Sequence, residues 1–373
     1  GETMNAQLPP KPLTRPATPK EVTATWLTKA LQSSGVIPTD VEVASLRHEP
    51  LGGGTGVFGV LARLVVDYTE TTTTAPTRMV LKIPTAAPEN KNVALALGIY
   101  VRETYFFNEL AARTPVPSVR CLYADMDIAA GEFVLIIDEV AHLTVGDQLN
   151  GATIPQLERT LKEIAKWHAA WWEHPDLNTF DWLPTNDSPI QLAVVPGIMR
   201  GAMPVIEADW IPRLGEEAVA LGRDVADKFE EIMGRSSAAA RTLCHGDVRL
   251  ENVFFNDDAS DIMFIDFQML VKGTPAQDVQ YLFGSSMNPE VWDKEGMRLL
   301  ELYHNELVAQ GVTNYSWDTF WSEFQLQCLW AMVAPASTVG GFDMGDDKGK
   351  QLAERWMTRG WYLPVAANAR QAL

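Results

Sequence analysis

The sequence predicts an α+β protein whose strands and helices are segregated along the chain. Three observations point there. Short apolar runs bounded by Gly, Pro and Thr dominate residues 41–137. From residue 154 onward, apolar residues recur at helical spacing in long segments rich in Trp. Within that helical half, two short apolar strands flank the polar turn 256–261 and read as a hairpin. The expected architecture is a smaller N-terminal lobe (1–138) with an antiparallel sheet and a helix. A larger, mostly helical C-terminal lobe (139–373) follows. At 373 residues the chain is long enough for two such bodies, each with its own core.

Taken in order, the first residues are rich in Pro and form an arm. Thr18-Pro-Lys-Glu21 has the pattern of a capping box with Pro at the first helical position, so a helix is expected from there to about residue 34, stopped by Gly35. Strands are expected at 41–47 and 60–68, joined by a turn in the Gly-rich stretch 51–59. Such a turn lets backbone amides approach phosphate closely. It is not a Walker loop, because no Gly-Lys-Ser/Thr follows and the next element is a strand. Residues 69–77 are a polar hairpin tip, and 78–83 form the next strand, with Lys82 near its end. A helix through 100–110 ends near Thr114, where Pro115 and Pro117 break it. Strands at 119–123 and 132–137 lead to the inter-lobe linker 138–141.

In the second half, a strong helix is expected at 154–173, with Leu157, Leu161, Ile164, His168 and Trp171 on one stripe. His168 and His174 fall on different faces, so a core role for His168 is expected rather than a metal pair. Residues 175–211 read as connections and short helices, and 212–233 as one charged helix. Helices at about 290–310, 318–334 and 348–369 complete the chain. Their Trp residues are expected in the core or lining a ligand site.

Composition narrows the function. A net charge of −18 disfavours nucleic acid and anionic membranes as partners. No protein partner is evident. The three scattered cysteines, Cys121, Cys244 and Cys328, suit a reducing compartment and a cytoplasmic protein. No signal pattern opens the chain, and no apolar run is expected to reach membrane-spanning length.

The chemistry is concentrated in 243–268. His245, Asp247 and Asn252 precede the hairpin or open it, and Asp266-Phe267 closes it. A hairpin brings Asn252 and Asp266 together, with Asp247 just upstream. Oxygen-bearing side chains of this kind suit a hard cation such as Mg²⁺. The order and spacing match a kinase catalytic loop: His, catalytic Asp, Asn five residues later, then a metal-binding Asp before Phe. The stretch resembles the aminoglycoside phosphotransferase, choline kinase and ecdysteroid kinase-like group, in which the loop reads His-Gly-Asp and the metal motif Ile-Asp-Phe. Both are present here.

That resemblance implies a protein-kinase-like fold and ATP-dependent transfer of phosphate to a small hydroxylated molecule, with ATP and Mg²⁺ as cofactors. It implies Asp247 as catalytic base with His245 and Arg249 beside it, and Asn252 and Asp266 as metal ligands. It gives Lys82 the α- and β-phosphates, paired with a helix Glu. Glu103 is preferred for that partner, with Glu109 as competitor. Gly53, Gly54, Thr55 and Gly56 would cover the phosphates, and backbone groups near Glu139 and Ala141 would meet adenine. Asp278 would be a helix cap or an anchor of the catalytic loop, not a ligand. No Ala-Pro-Glu segment or long activation loop follows, which separates the chain from regulated protein kinases. The acceptor is expected to be a bulky apolar alcohol. The alternatives are an aminoglycoside- or choline-like cation, and a nucleotide-binding pseudokinase or scaffold.

Overall fold

The computed structural model describes residues 13–55, 59–71, 73–340 and 346–373, without the side chains of 52–55 and 340. The chain divides into two compact units. One holds the described residues up to Arg113 together with Ser118–His142; the other holds Thr114–Pro117 and Leu143–Leu373.

The first unit is a five-stranded antiparallel sheet with helices. Its strands are β1 (Val43–Thr55), β2 (Gly59–Tyr68), β3 (Arg78–Pro84), β4 (Cys121–Asp127) and β5 (Glu132–Asp138), in the order β1-β2-β3-β5-β4. Alternation puts Leu64, Val66, Leu81, Ile83, Val134 and Ile136 in the core, where Leu27 and Leu31 of helix α1 (Ala24–Ser33) join them. The helix does not begin at the Thr18 box. Residues Pro19–Glu21 make a single 3₁₀ turn with no side-chain cap, because Val22 is extended and breaks the path. Thr23 is the true cap and accepts from the Trp26 amide.

The Gly-rich stretch also departs from expectation. β1 runs through Gly52, Gly53 and Gly54 to Thr55, which pairs with Val60 after a register shift. The glycines therefore lie in an irregular strand end rather than in the turn. Two helices, α2 (Pro88–Ala96) and α3 (Ile99–Tyr105), follow β3, and α2 was not anticipated. The chain continues from α3 in π- and 3₁₀-type turns to Arg113.

In the second unit, β6 (Thr144–Val145) precedes helices α4 (Ile154–Ala170), α5 (Pro189–Asp209), α6 (Ile211–Leu214), α7 (Glu216–Asp227) and α8 (Phe229–Ala238). The short strands β7 (Thr242–Cys244), β8 (Val253–Phe255), β9 (Ile262–Phe264) and β10 (Val271–Gly273) come next. Helices α9 (Ala276–Ser286), α10 (Pro289–Ala309), α11 (Trp317–Trp330), α12 (Val333–Gly340) and α13 (Asp347–Ala366) finish the chain. Thr114 and Pro117 belong here because they are tied here. Thr114 Oγ1 accepts the Trp171 indole N–H, and the Pro117 carbonyl accepts the Phe264 amide.

Four readings of this unit are corrected. The helix α4 is capped by a reciprocal Thr153–Gln156 box and ends at Ala170, short of residue 173. The stretch expected to be irregular contains the 21-residue α5, with Pro196 and Pro204 inside it. Each internal Pro costs about 3 kcal/mol relative to Ala, and packing of α5 on α7 and α12 outweighs that cost. By length and composition α5 also qualifies as a candidate membrane span, with 28% of the qualifying window buried, so the expectation that no run reaches that length fails. The single helix expected at 212–233 is three, interrupted at Gly215 (φ 87°) and Lys228.

Candidate active site

The loop that carries the candidate residues, 245–252, follows β7, which pairs antiparallel with β10, and it is held by α9. Asp278, in the first turn of α9, is fully buried and accepts three bonds. Its donors are the His245 amide at 2.9 Å, the Gly246 amide at 2.9 Å and His168 Nε2 at 2.8 Å. Burial favours the neutral Asp278 carboxyl, but these partners outweigh it and hold its pKa below the usual carboxylate range. His168 Nδ1 accepts from the Tyr303 hydroxyl at 2.6 Å, so His168 is a satisfied core histidine. Gly246 has φ 85°, and a Cβ there would lie 1.9 Å from the Met269 carbonyl oxygen. Only glycine fits.

His245 uses both ring nitrogens on the backbone. Nδ1 accepts from the Asp247 amide at 3.1 Å, and Nε2 donates to the Ile265 carbonyl at 3.0 Å. It therefore ties the loop to the strand that leads into Asp266, and supports the backbone beside Asp247. The hairpin forms with Val253 opposite Phe264, and the Ile265 amide donates to the Asn252 carbonyl at 3.0 Å. Asp266 follows with φ 64°, a left-handed conformation that is uncommon for a residue with a side chain. Phe267 is buried, stacked on Trp167 and edge-on to His245.

Asp247 is nearly buried, and its carboxylate is crowded by polar groups. Asn252 Nδ2 donates to its Oδ2 at 3.0 Å and to its backbone carbonyl at 2.9 Å. Arg249 Nε lies 3.2 Å from Oδ1, and Arg249 also pairs with Glu251 at 3.3 Å. Burial, with Asp266 adding to it, raises the Asp247 pKa despite the opposing guanidinium. Burial alone would lower Arg249, but Asp247, Tyr281 and Glu251 hold it in its charged form. Tyr281 was not singled out in the sequence. It carries no motif, and its one signal is its place three residues after Asp278.

In the first unit, Lys82 Nζ lies 2.6 Å from Glu103 Oε1. Lys82 is in β3 opposite Leu61 and Leu135, and Glu103 is buried in α3. The choice of Glu103 over Glu109 agrees with this contact; Glu109 lies in the π-type turn, its pKa raised by burial. The backbone of Gly53, Gly54 and Thr55 is strand, and Gly56 lies outside the described residues. The Glu139 carboxylate is bound by Arg63 at 2.7 Å and Arg78 at 2.9 Å, and Ala141 is exposed.

A family model described as ecdysteroid kinase-like matches residues 53–312. The chain belongs to the ecdysteroid kinase-like family. This membership puts it among the small-molecule kinases. Solved structures share its two-lobed, protein-kinase-like fold at low identity. An ethanolamine kinase from Plasmodium vivax is 11% identical with a TM-score of 0.52, covering 94% of this chain and 89% of that one. A choline kinase from Cryptosporidium parvum is 12% identical with a TM-score of 0.51, covering 91% and 92%. An aminoglycoside phosphotransferase, solved with GDP and kanamycin, is 14% identical with a TM-score of 0.50, covering 92% and 98%. The comparison with curated protein sequences gives no match.

Proposed function

We propose that this ecdysteroid kinase-like chain transfers the γ-phosphoryl group of ATP to a hydroxyl of a small molecule, with Asp247 as the base. The observation that carries this reading is the Asp247–Asn252 contact at 3.0 Å, on a loop that the hairpin joins to Asp266. The donor set fits Mg²⁺. Asn252 spends its amide nitrogen on Asp247, so its carbonyl oxygen is the atom to face a cation, and Asp266 adds a carboxylate. When bound, the ion would neutralise charge on the phosphates.

The chain's own residues do the rest. In the first unit, Lys82, oriented by Glu103, binds the α- and β-phosphates. In the second, Asp247 accepts a hydrogen bond from the acceptor hydroxyl and aims its oxygen at the γ-phosphorus. As that bond forms, the bond from phosphorus to the bridging oxygen breaks, and ADP leaves with the electron pair. The hydroxyl proton passes to Asp247 and then to solvent. Arg249 offsets charge on the transferring group, and His245 keeps the loop on its strand. Positioning and charge neutralisation supply most of the rate in such chemistry. Backbone groups around Glu139 and Ala141 meet adenine, since the Glu139 side chain is occupied by two arginines.

The acceptor on this reading is a bulky apolar alcohol. A cationic acceptor is the second reading, favoured by the net charge of −18. ADP release from Mg-ATP, measured with pools of polycyclic alcohols, amino alcohols and aminoglycosides, tests both. Turnover that is stimulated by one pool and lost in Asp247→Asn supports the reading and names the class. Acceptor-stimulated turnover that survives Asp247→Asn would remove Asp247 as the base.

A further inference from the structure

In the first unit, the sheet face opposite the α1 core changes character along β3. Alternation turns Arg78, Val80 and Lys82 away from the core residues Met79, Leu81 and Ile83. Register sets Leu61, Arg63 and Val65 of β2 opposite Lys82, Val80 and Arg78 in turn. On β5, Leu135 lies opposite Lys82 and Ile137 opposite Val80. Lys82, with Glu103 at 2.6 Å, marks one end of this face. Half-buried Leu61, Val80 and Ile137 form an apolar middle. The other end is a chain of charges. Glu139, just past the end of β5, has both carboxylate oxygens bound. Arg63 gives Nε and Nη2 to Oε1 at 2.8 and 2.7 Å, and Arg78 gives Nε to Oε2 at 2.9 Å. Arg63 Nη1 also reaches Glu49 Oε2 at 3.3 Å, and Arg47 Nη2 reaches Glu49 Oε1 at 2.7 Å.

Isolated surface ion pairs contribute little, because water competes and two long side chains have to be ordered. The Glu139 cluster differs. Its carboxylate is 16% exposed and shared between two strands, and Arg63 is itself held by Glu49 on a third. Burial favours the neutral Glu139 carboxyl, but the two arginines outweigh it and hold the pKa below the usual range. β2, β3 and β5 are already joined by their backbone ladders, so the sheet does not depend on this clamp. What the clamp adds is a fixed place for residue 139, where the chain has left β5. We propose that Glu139 is a positioning residue for the nucleotide: held by Arg63 and Arg78, it fixes the linker backbone at 139–141 beside the apolar floor of Leu61, Val80 and Ile137, where the base would lie. A site ordered beforehand loses less entropy on binding. The inference rests on the proposed nucleotide reading, in which Lys82 holds phosphates and the linker meets adenine, and the test separates the two.

The test is equilibrium binding of two probes by full-length protein: Mg-ATP, and magnesium tripolyphosphate, which carries the phosphates without a base. Glu139→Ala removes the carboxylate, and Arg63→Met and Arg78→Met remove its partners while leaving Glu139 in place. Each is expected to raise the Kd for Mg-ATP, by about tenfold for Glu139→Ala, with the Kd for tripolyphosphate unchanged. Glu139→Ala combined with Arg63→Met should raise it by less than the product of the two separate effects, because both break one contact. An unchanged Kd for Mg-ATP in Glu139→Ala, while Lys82→Ala weakens both probes, overturns the inference and leaves the nucleotide reading in place. Equal weakening of both probes by Glu139→Ala also overturns it, since that is general loss of structure rather than loss at the base end. So does a double variant whose effect is the simple product. Wild-type protein that binds no Mg-ATP removes the nucleotide reading, and the inference falls with it.

Discussion

Gly246 and Glu323 show how much can hang on one residue. Gly246→Ala would drive a Cβ into the Met269 carbonyl at 1.9 Å in a backbone conformation that disfavours side chains. We expect loss of turnover and a stability loss of about 2 kcal/mol or more, read by urea unfolding. Glu323 gives a pH signature. It is buried on α11, bonded by the Thr274 hydroxyl at 2.7 Å, with Arg241 at 3.6 Å. Burial raises its pKa, partly opposed by Thr274 and Arg241. A raised carboxyl pKa favours the folded state while the group is protonated, and that contribution is lost as pH rises through the folded-state value. Glu323→Gln cannot ionise. Its Tm relative to wild type should therefore climb as pH rises above the usual glutamate range, where the wild type ionises. A difference that stays flat or falls over that range would contradict the sign.

The residues legible in the sequence were those whose role depends on type and spacing. His245, Asp247, Asn252 and Asp266 were marked by a linear pattern, and Lys82 and Glu103 by the family resemblance; the structure pairs Lys82 with Glu103 and Asp247 with Asn252. Tyr281, Ser286 and Arg359 were not marked. Their contacts depend on where a helix lies, and no spacing within the motif encodes that.

Among the elements, the misread ones share a cause. Local rules were applied where packing decides. Pro196 and Pro204 look like breakers, yet α5 keeps its course because its neighbours bury it along one side. Thr18 has the residues of a capping box without the helix, because the chain turns extended at Val22. Conversely, Gly222 had no visible role. A Cβ there would sit 2.4 Å from the Trp361 ring, so the glycine is the gap that lets α13 close on α7. Gly222→Ala should cost about 1–3 kcal/mol of stability through overpacking, although alanine is the better helix former. An unchanged or raised midpoint in urea would show that the interface yields.

Over the whole molecule, the segregation of sheet and helices was readable because strand and helix periods differ and occupy different halves. The boundary was less so. Thr114–Pro117 joins the helical unit through Trp171 and Phe264, contacts between distant positions. The net charge of −18 sets a further expectation at this scale. Like charges repel in the compact state, and salt screens them over about 10 Å at 0.1 M. Raising NaCl from 10 mM to 150 mM should raise Tm, and a fall would mean that the surface ion pairs matter more than the excess charge.

Arg359 carries a consequence of a different kind. Its guanidinium is buried and binds the carbonyls of Gln148, Leu149 and Ser285 and the side-chain oxygen of Asn288. All four acceptors are neutral. Ion pairs let go when an acid protonates their carboxylates, but an amide oxygen keeps its lone pairs at any pH in which the protein is handled. This knot ties the segment after β6 to the end of α9 and the start of α10. Once acid protonates carboxylates such as Glu230, which Arg200 holds below the usual range, surface pairs like Arg200–Glu230 would release while the knot held. The end of α9 and the segment tied to it would then be among the last parts of the molecule to exchange their amide protons.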